Sequence, residues 1–273
     1  MKIKNLQLRC ALLGAVALLG AAGAKADNMA FMGTVNGSFG VLDLNTGAFT
    51  LDGNSGLTLA GMAVENSTLY GSSYHIAGSG TLYQINPGNG AVTAIGSSTV
   101  DIDDFGSTTS GLFAVGVNGN LYSINASTGA ATLIGATGFG TSIPFGSWRS
   151  LSTNSSTLYF ANGTELYSIN TTTGASTLIG STGGPEEGAL LFENGTLYGG
   201  ENSPGYGINT LNVSTGEATF SSSVSGTSDS FFALAPNPLP SSTPPGVPEP
   251  ATLTLLGSGL LCLAAKLKNR SRE

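Results

Sequence analysis

The chain has 273 residues, 40% of hydrophobic type, with 41 glycines, 9 Lys plus Arg against 16 Asp plus Glu, one His and two Cys. Eight of the nine cations lie near the termini, so residues 27–250 hold only Arg149 against fifteen carboxylates, a net of −14 with His neutral. This excludes nucleic-acid binding, which needs cations for phosphate. Cys10 and Cys262 are both terminal, so the interior has no disulfide, thiol nucleophile or cysteine metal site.

In chain order, the first element is a signal peptide. Lys2, Lys4 and Arg9 form a positive n-region, residues 10–23 an apolar stretch, and Ala24-Lys25-Ala26 an A-x-A cleavage site. Cleavage there makes Asp27 the first mature residue, and signal peptidase an early partner.

The interior is a repeat. Residues 120–135 read NLYSINASTGAATLIG, residues 165–180 ELYSINTTTGASTLIG, and residues 81–96 TLYQINPGNGAVTAIG. Weaker copies occupy residues 40–53 and 208–220, and the turn glycines Gly47, Gly90, Gly129, Gly174 and Gly216 recur every 39–45 residues, the period of a propeller blade. Short β-branched runs separated by Asn-Gly, Thr-Gly and Asn-Ser turns resolve each period into four strands. The outer pair is LYSIN and ATLIG. Before it comes a strand built on Leu69-Tyr70, Leu112-Phe113, Leu158-Tyr159 or Leu197-Tyr198. An inner strand precedes that, at residues 62–65, 105–108, 151–154 and 190–193.

The two ends of the repeat complement each other. Residues 29–33 match a second strand with no inner strand before it, and residues 231–235 are a spare inner strand. Pairing them closes five four-stranded blades into an all-β ring and removes the free inner edges. The Leu-Tyr-x-Ile-Asn strand and Thr-Gly turn resemble quinoprotein-like propeller repeats. That resemblance implies the fold. The tryptophan that ends those repeats is absent here, so the quinone cofactor is not carried over.

Propeller ligands enter the channel lined by the inner strands. Aligning those strands by their turns puts Thr58, Asp101, Ser147, Glu186 and Asp229 at one level, and Ala60, Asp103, Arg149, Gly188 and Phe231 at the next. Asp101, Asp103, Glu186, Asp229 and Arg149, with Trp148 nearby, are thus the candidate ligand residues at one channel mouth. Three chemistries fit: solvated loop acids, a hard-cation site for Ca²⁺, or paired glycosidase carboxylates drawn from Asp103, Glu186 and Asp229. His75 is the only histidine, too few for a nitrogen-ligated metal or a Ser-His-Asp set. The sequons at Asn162 and Asn194 read as turn chemistry.

Residues 237–246 form a Pro/Ser-rich stalk. Val247-Pro248-Glu249-Pro250 follows, then an apolar run over 251–265, then Lys266, Lys268, Arg270 and Arg272. Fifteen helical residues span about 22 Å, a short transmembrane helix that flanking lysines can extend. The basic end is expected to stay cytoplasmic. Motif, span and basic end in this order resemble the PEP-CTERM sorting tail of bacterial surface and secreted proteins. The resemblance implies that an exosortase recognises and cleaves the Pro-Glu-Pro motif, after transient anchoring in the inner membrane.

The expected organisation is a signal peptide over 1–26, a propeller over 27–236, the stalk, and a sorting tail over 247–273. The expected product is an exported, non-enzymatic scaffold or a glycan- or Ca²⁺-binding module, at the cell surface or in extracellular polysaccharide, without a resident cofactor. The alternative is a secreted five-bladed glycosidase.

Overall fold

The computed structural model describes residues 28–73, 80–139, 149–154, 156–184, 186–201 and 207–237. The signal peptide, His75, Trp148, the stalk and the sorting tail lie outside the described residues, as do the side chains of Asp103 and Arg149.

Twenty strands form five antiparallel four-stranded sheets. The first blade is β20(Phe231–Pro236), β1(Met29–Thr34), β2(Ser38–Asp43) and β3(Phe49–Asn54), counted from the innermost strand. The second is β4(Leu59–Glu65), β5(Thr68–Ser73), β6(Thr81–Ile85) and β7(Val92–Ser97). The third is β8(Ile102–Thr108), β9(Gly111–Gly116), β10(Asn120–Ile124) and β11(Ala131–Ala136). The fourth is β12(Arg149–Asn154), β13(Thr157–Asn162), β14(Glu165–Ile169) and β15(Ser176–Ser181). The fifth is β16(Glu187–Glu193), β17(Thr196–Glu201), β18(Gly207–Leu211) and β19(Ala218–Ser223). The inner strands pack in the order β20, β4, β8, β12, β16 and back to β20, so the ring closes. β20 pairs with β1 from Ala30↔Pro236 to Thr34↔Phe231, the terminal closure expected from the missing and spare strands.

Burial follows blade geometry. Second strands are covered on both faces by neighbouring blades, and β9 is buried at every position but its first. Outer strands are more open, and β11 has no buried residue. The core is therefore five seams, each a cluster between adjacent blades; between the third and fourth, Phe113, Val115 and Leu121 meet Leu151, Leu158 and Phe160.

The repeat's Asn-x-x-x-Gly signature is the turn between third and fourth strands. Asn125 Oδ1 accepts from the amides of Ser127 at 2.9 Å and Thr128 at 3.1 Å, and the Gly129 amide donates to the Asn125 carbonyl at 2.8 Å. Gly129 closes the turn at φ 72°, a region that favours glycine. The same bonds recur at Asn170 and Asn212.

The last glycine of the LIG motif has a separate cause. A Cβ on Gly96 would lie 2.1 Å from the Thr128 carbonyl oxygen, and one on Gly129 2.6 Å from the Gly96 oxygen. Each turn is pressed backbone-to-backbone against the outer strand of the preceding blade. Gly135 meets the Thr173–Gly174 turn and Gly180 the Thr215–Gly216 turn in the same way, and Gly53 meets Asn89. At the closing seam Gly47 abuts the Ser223 carbonyl, and hydrogen bonds join Ser225 to Gly47 and Phe49.

Candidate functional site

The inner strands line the channel, and their polar side chains are bound across the seams. Ser107 Oγ on β8 donates to the Val64 carbonyl on β4 at 2.6 Å. Asp104, 3% exposed on β8, accepts from the Leu151 amide on β12, and Thr153 Oγ1 donates to the Ser107 carbonyl. Ser152 Oγ accepts from the Phe192 amide on β16 at 2.7 Å. These bonds satisfy backbone groups that inner strands cannot pair laterally within their own sheets.

Three of the expected mouth residues, Asp229, Glu186 and Asp101, sit just before inner strands begin. Asp229 accepts from Asn36 Nδ2 at 2.8 Å and Thr34 Oγ1 at 3.4 Å, and the Val35 amide donates to the Ser230 carbonyl at 2.9 Å. Its carboxylate thus ties the approach to β20 onto the β1–β2 turn. Glu186 is half-buried and leans over the β13–β14 turn, its Oε1 3.7 Å from where a Cβ on Gly163 would stand. Asp101 is half-buried just before β8, its carbonyl accepting from the Val117 amide at 3.1 Å.

β-Bulges reset the second level. Register shifts between Leu59 and Gly61, Ile102 and Asp104, and Glu187 and Ala189 make Ala60, Asp103 and Gly188 the extra residues of bulges. β12 has no such shift, and Arg149 pairs directly with Asn162. The ladder position therefore holds Leu59, Ile102, Arg149, Glu187 and Phe231, and Asp103 stands one residue out of register with Arg149.

That position exposes a residue absent from the expected set. Leu59, Ile102 and Phe231 are buried apolar side chains there, and Glu187 is 0% exposed at the equivalent place. Its Oε1 accepts from Asn209 Nδ2 at 2.8 Å, and the same nitrogen donates to Glu201 Oε1 at 3.1 Å. Oε2 has no hydrogen-bond partner among the described residues. Burial pushes the Glu187 carboxyl up to about 7, opposed by the Asn209 bond and reinforced by Glu201. The signal was in the repeat: where the third strands β6, β10 and β14 read Leu-Tyr, β18 reads Ile208-Asn209.

Because the native state holds this proton more tightly than the unfolded chain, the Glu187 contribution to stability is greatest below pH 4.5. It should fall by about 3 kcal/mol as pH rises to about 7 and level off above. Glu193, whose carboxyl burial also raises, adds a smaller effect of the same sign. Urea unfolding of wild type and Glu187→Leu from pH 4 to 8 checks this; an equal slope in both would refute the assignment to Glu187.

At the opposite end of the channel, a cavity of about 430 Å³ is lined by Glu65, Asn66, Ser107, Thr108 and Thr153, among others. It offers a carboxylate, an amide and hydroxyls to a polar ligand. Among the described residues no three His, Cys, Asp or Glu side chains converge as a metal cluster.

The fold and this channel define a single five-bladed β-propeller. The chain carries a PEP-CTERM protein-sorting motif, matched by the family model over residues 246–270, which implies processing by an exosortase, export, and a cell-surface or extracellular destination. No curated protein matches the chain. It is similar in structure to the "Nidogen/Laminin Complex" at 12% identity and TM-score 0.51, covering 77% of this chain and 82% of that one. A structural-genomics protein of unknown function from Bacteroides thetaiotaomicron VPI-5482 is similar at 19% identity and TM-score 0.51, over 72% of this chain and 56% of that one. BamB from Moraxella catarrhalis aligns at 15% identity and TM-score 0.37, over 72% and 62%. At these identities the likeness concerns fold alone.

Proposed function

We propose that the mature protein is a non-enzymatic propeller acting at the cell surface or in the extracellular polysaccharide matrix, as a scaffold or as a glycan- or Ca²⁺-binding module. The sorting motif over residues 246–270 carries this reading. The bonding of the mouth supports the non-enzymatic part: Asp229 spends its carboxylate on Asn36 and Thr34, and Glu186 lies over Gly163. A domain with no lysine and a coat of Ser, Thr, Asn and Gly is suited to a hydrated matrix, where charge keeps it dispersed.

Intact mass and cell fractionation of the protein from its host test the export reading. The expected product starts at Asp27, ends near Pro248–Pro250 and leaves the inner membrane. A membrane-bound product retaining residues 251–273 would make the tail an ordinary anchor. Calorimetry with Ca²⁺ and with the host's own polysaccharide tests the binding module; no heat with either leaves the scaffold. Hydrolysis of that polysaccharide, lost in Asp229→Asn, would replace this reading with the glycosidase.

A further inference from the structure

We infer that Glu187, Glu201 and Asn209 form a proton-binding latch in the seam between the fourth and fifth blades, closed when the acid pair holds a proton and loosened when both acids ionise. This inference does not depend on the proposed export or ligand.

Three features of the geometry carry it. The bulge at Gly188 turns Glu187 onto the face shared by Gly199, Glu201 and Asn209, because Glu187 pairs with Glu201 and Asn209 with Gly199. This face also holds Leu197 and Leu211, which pack against Tyr159, Ala161 and Leu166 of the fourth blade. The acid pair therefore sits against apolar side chains in a seam whose other buried polar side chains, Ser150 and Ser152, are hydroxyls bonded to the β16 backbone.

Next, the carboxylate occupies a notch shaped for hydrocarbon. A Cβ on Gly199 would lie 2.3 Å from Glu187 Oε2 and 2.6 Å from Leu211 Cδ1. In the second blade the equivalent notch at Gly71 takes Leu59 Cδ2, 3.1 Å from the corresponding Cβ position. Oε2 thus faces a backbone and a methyl group. That wall leaves no side for the six or more oxygens that Ca²⁺ requires, whereas a proton needs none of them.

Third, the fifth blade departs from the repeat at three positions that touch. Leu59 and Ile102 become Glu187, the tyrosines Tyr83, Tyr122 and Tyr167 become Asn209, and Ser73 and Gly116 become Glu201. One amide nitrogen joins both new carboxylates. Two of these changes replace an aliphatic or aromatic side chain and would each weaken the seam; with Glu201 they make one hydrogen-bonded unit.

Among the described side chains, the titratable groups around the latch are Glu201 on β17, Tyr159 on β13 and Glu186 next in sequence; Arg149, whose side chain lies outside the described residues, holds the same ladder position on the neighbouring β12. β18 offers only neutral Asn209, and β20 carries no titratable side chain. With Glu187 protonated, one charge remains and the shared amide satisfies it. With both ionised, two carboxylates compete for one nitrogen in a dry seam, and opening lets water solvate them.

Hydrogen exchange on the exported, processed protein tests this, with β8–β10 as the internal reference. After correction for intrinsic rates, opening of β16–β18 should increase by up to about tenfold per pH unit between pH 5 and 7 and stay well above that of β8–β10, which opens only with the global unfolding that Glu187 ionisation also favours. Glu187→Gln, of the same shape, and Glu187→Leu, the residue type of the second blade, should both remove the pH dependence. Equal pH dependence in wild type and Glu187→Gln, or no local change in wild type, overturns the latch. Restoration of protection at pH 8 by millimolar Ca²⁺ also overturns it, because the pair would then be a cation site.

Discussion

Replacing Phe231 by alanine should destabilise the propeller by about 4 kcal/mol, the usual cost of truncating a fully buried phenylalanine. Phe231 is 0% exposed and packs with Ala30, Met32 and Leu42 of its own blade and with Ala189, Leu191 and Tyr198 of the fifth. Its ring lies against Gly200, where a Cβ would stand 2.3 Å from Cε2. It also anchors β20, the strand that arrives from the far end of the chain to close the ring. A loosened β20 uncovers the edge of β1, so the loss reaches beyond the cavity. Thermal unfolding followed by circular dichroism should show a midpoint lower by roughly 10 °C. A change under 1 kcal/mol would mean that the terminal pairing contributes little to closure.

Gly129→Ala should cost about 3 kcal/mol, from two sources that a control separates. The φ of 72° strains any side chain, and the new Cβ would meet the Gly96 carbonyl oxygen at 2.6 Å. Gly138 has a φ of 93° with nothing within 4 Å of its Cβ position, so Gly138→Ala should cost only about 1 kcal/mol. Gly96→Ala inserts a methyl into the same contact from the other blade, 2.1 Å from the Thr128 oxygen, so the double variant should cost less than the sum. Urea unfolding of the four variants checks this. Equal losses for Gly129→Ala and Gly138→Ala would show that the turn conformation, and not the seam, demands the glycine.

One residue read as a ligand in the sequence, Asp229, is a fastening in the fold. Asp229 was legible as an acid at the start of an inner strand, and its use as a tie to Asn36 was not, because Asn36 is 193 residues away in the chain. Asp104 and Glu187 were passed over because the channel face was counted by alternation from the turns. One extra residue in β4, β8 and β16, and none in β12, breaks that count. A bulge costs no distinctive residue, so alternation could not locate it.

What the sequence determined alone is the number of blades, the order of their strands, and the closure between residues 29–33 and 231–235. It also carries the sorting motif that directs export. These are local or repeated properties: a turn needs its Asn and Gly within five residues, and a repeat needs only comparison with itself. Which side chains face a seam, which glycines must accept a neighbouring backbone, and which carboxyl lies buried beside another were decided by the tertiary structure. Each depends on a blade some forty residues away pressing against the residue in question. The burial that lifts the Glu187 carboxyl to about 7 exists only once the fourth and fifth blades have met.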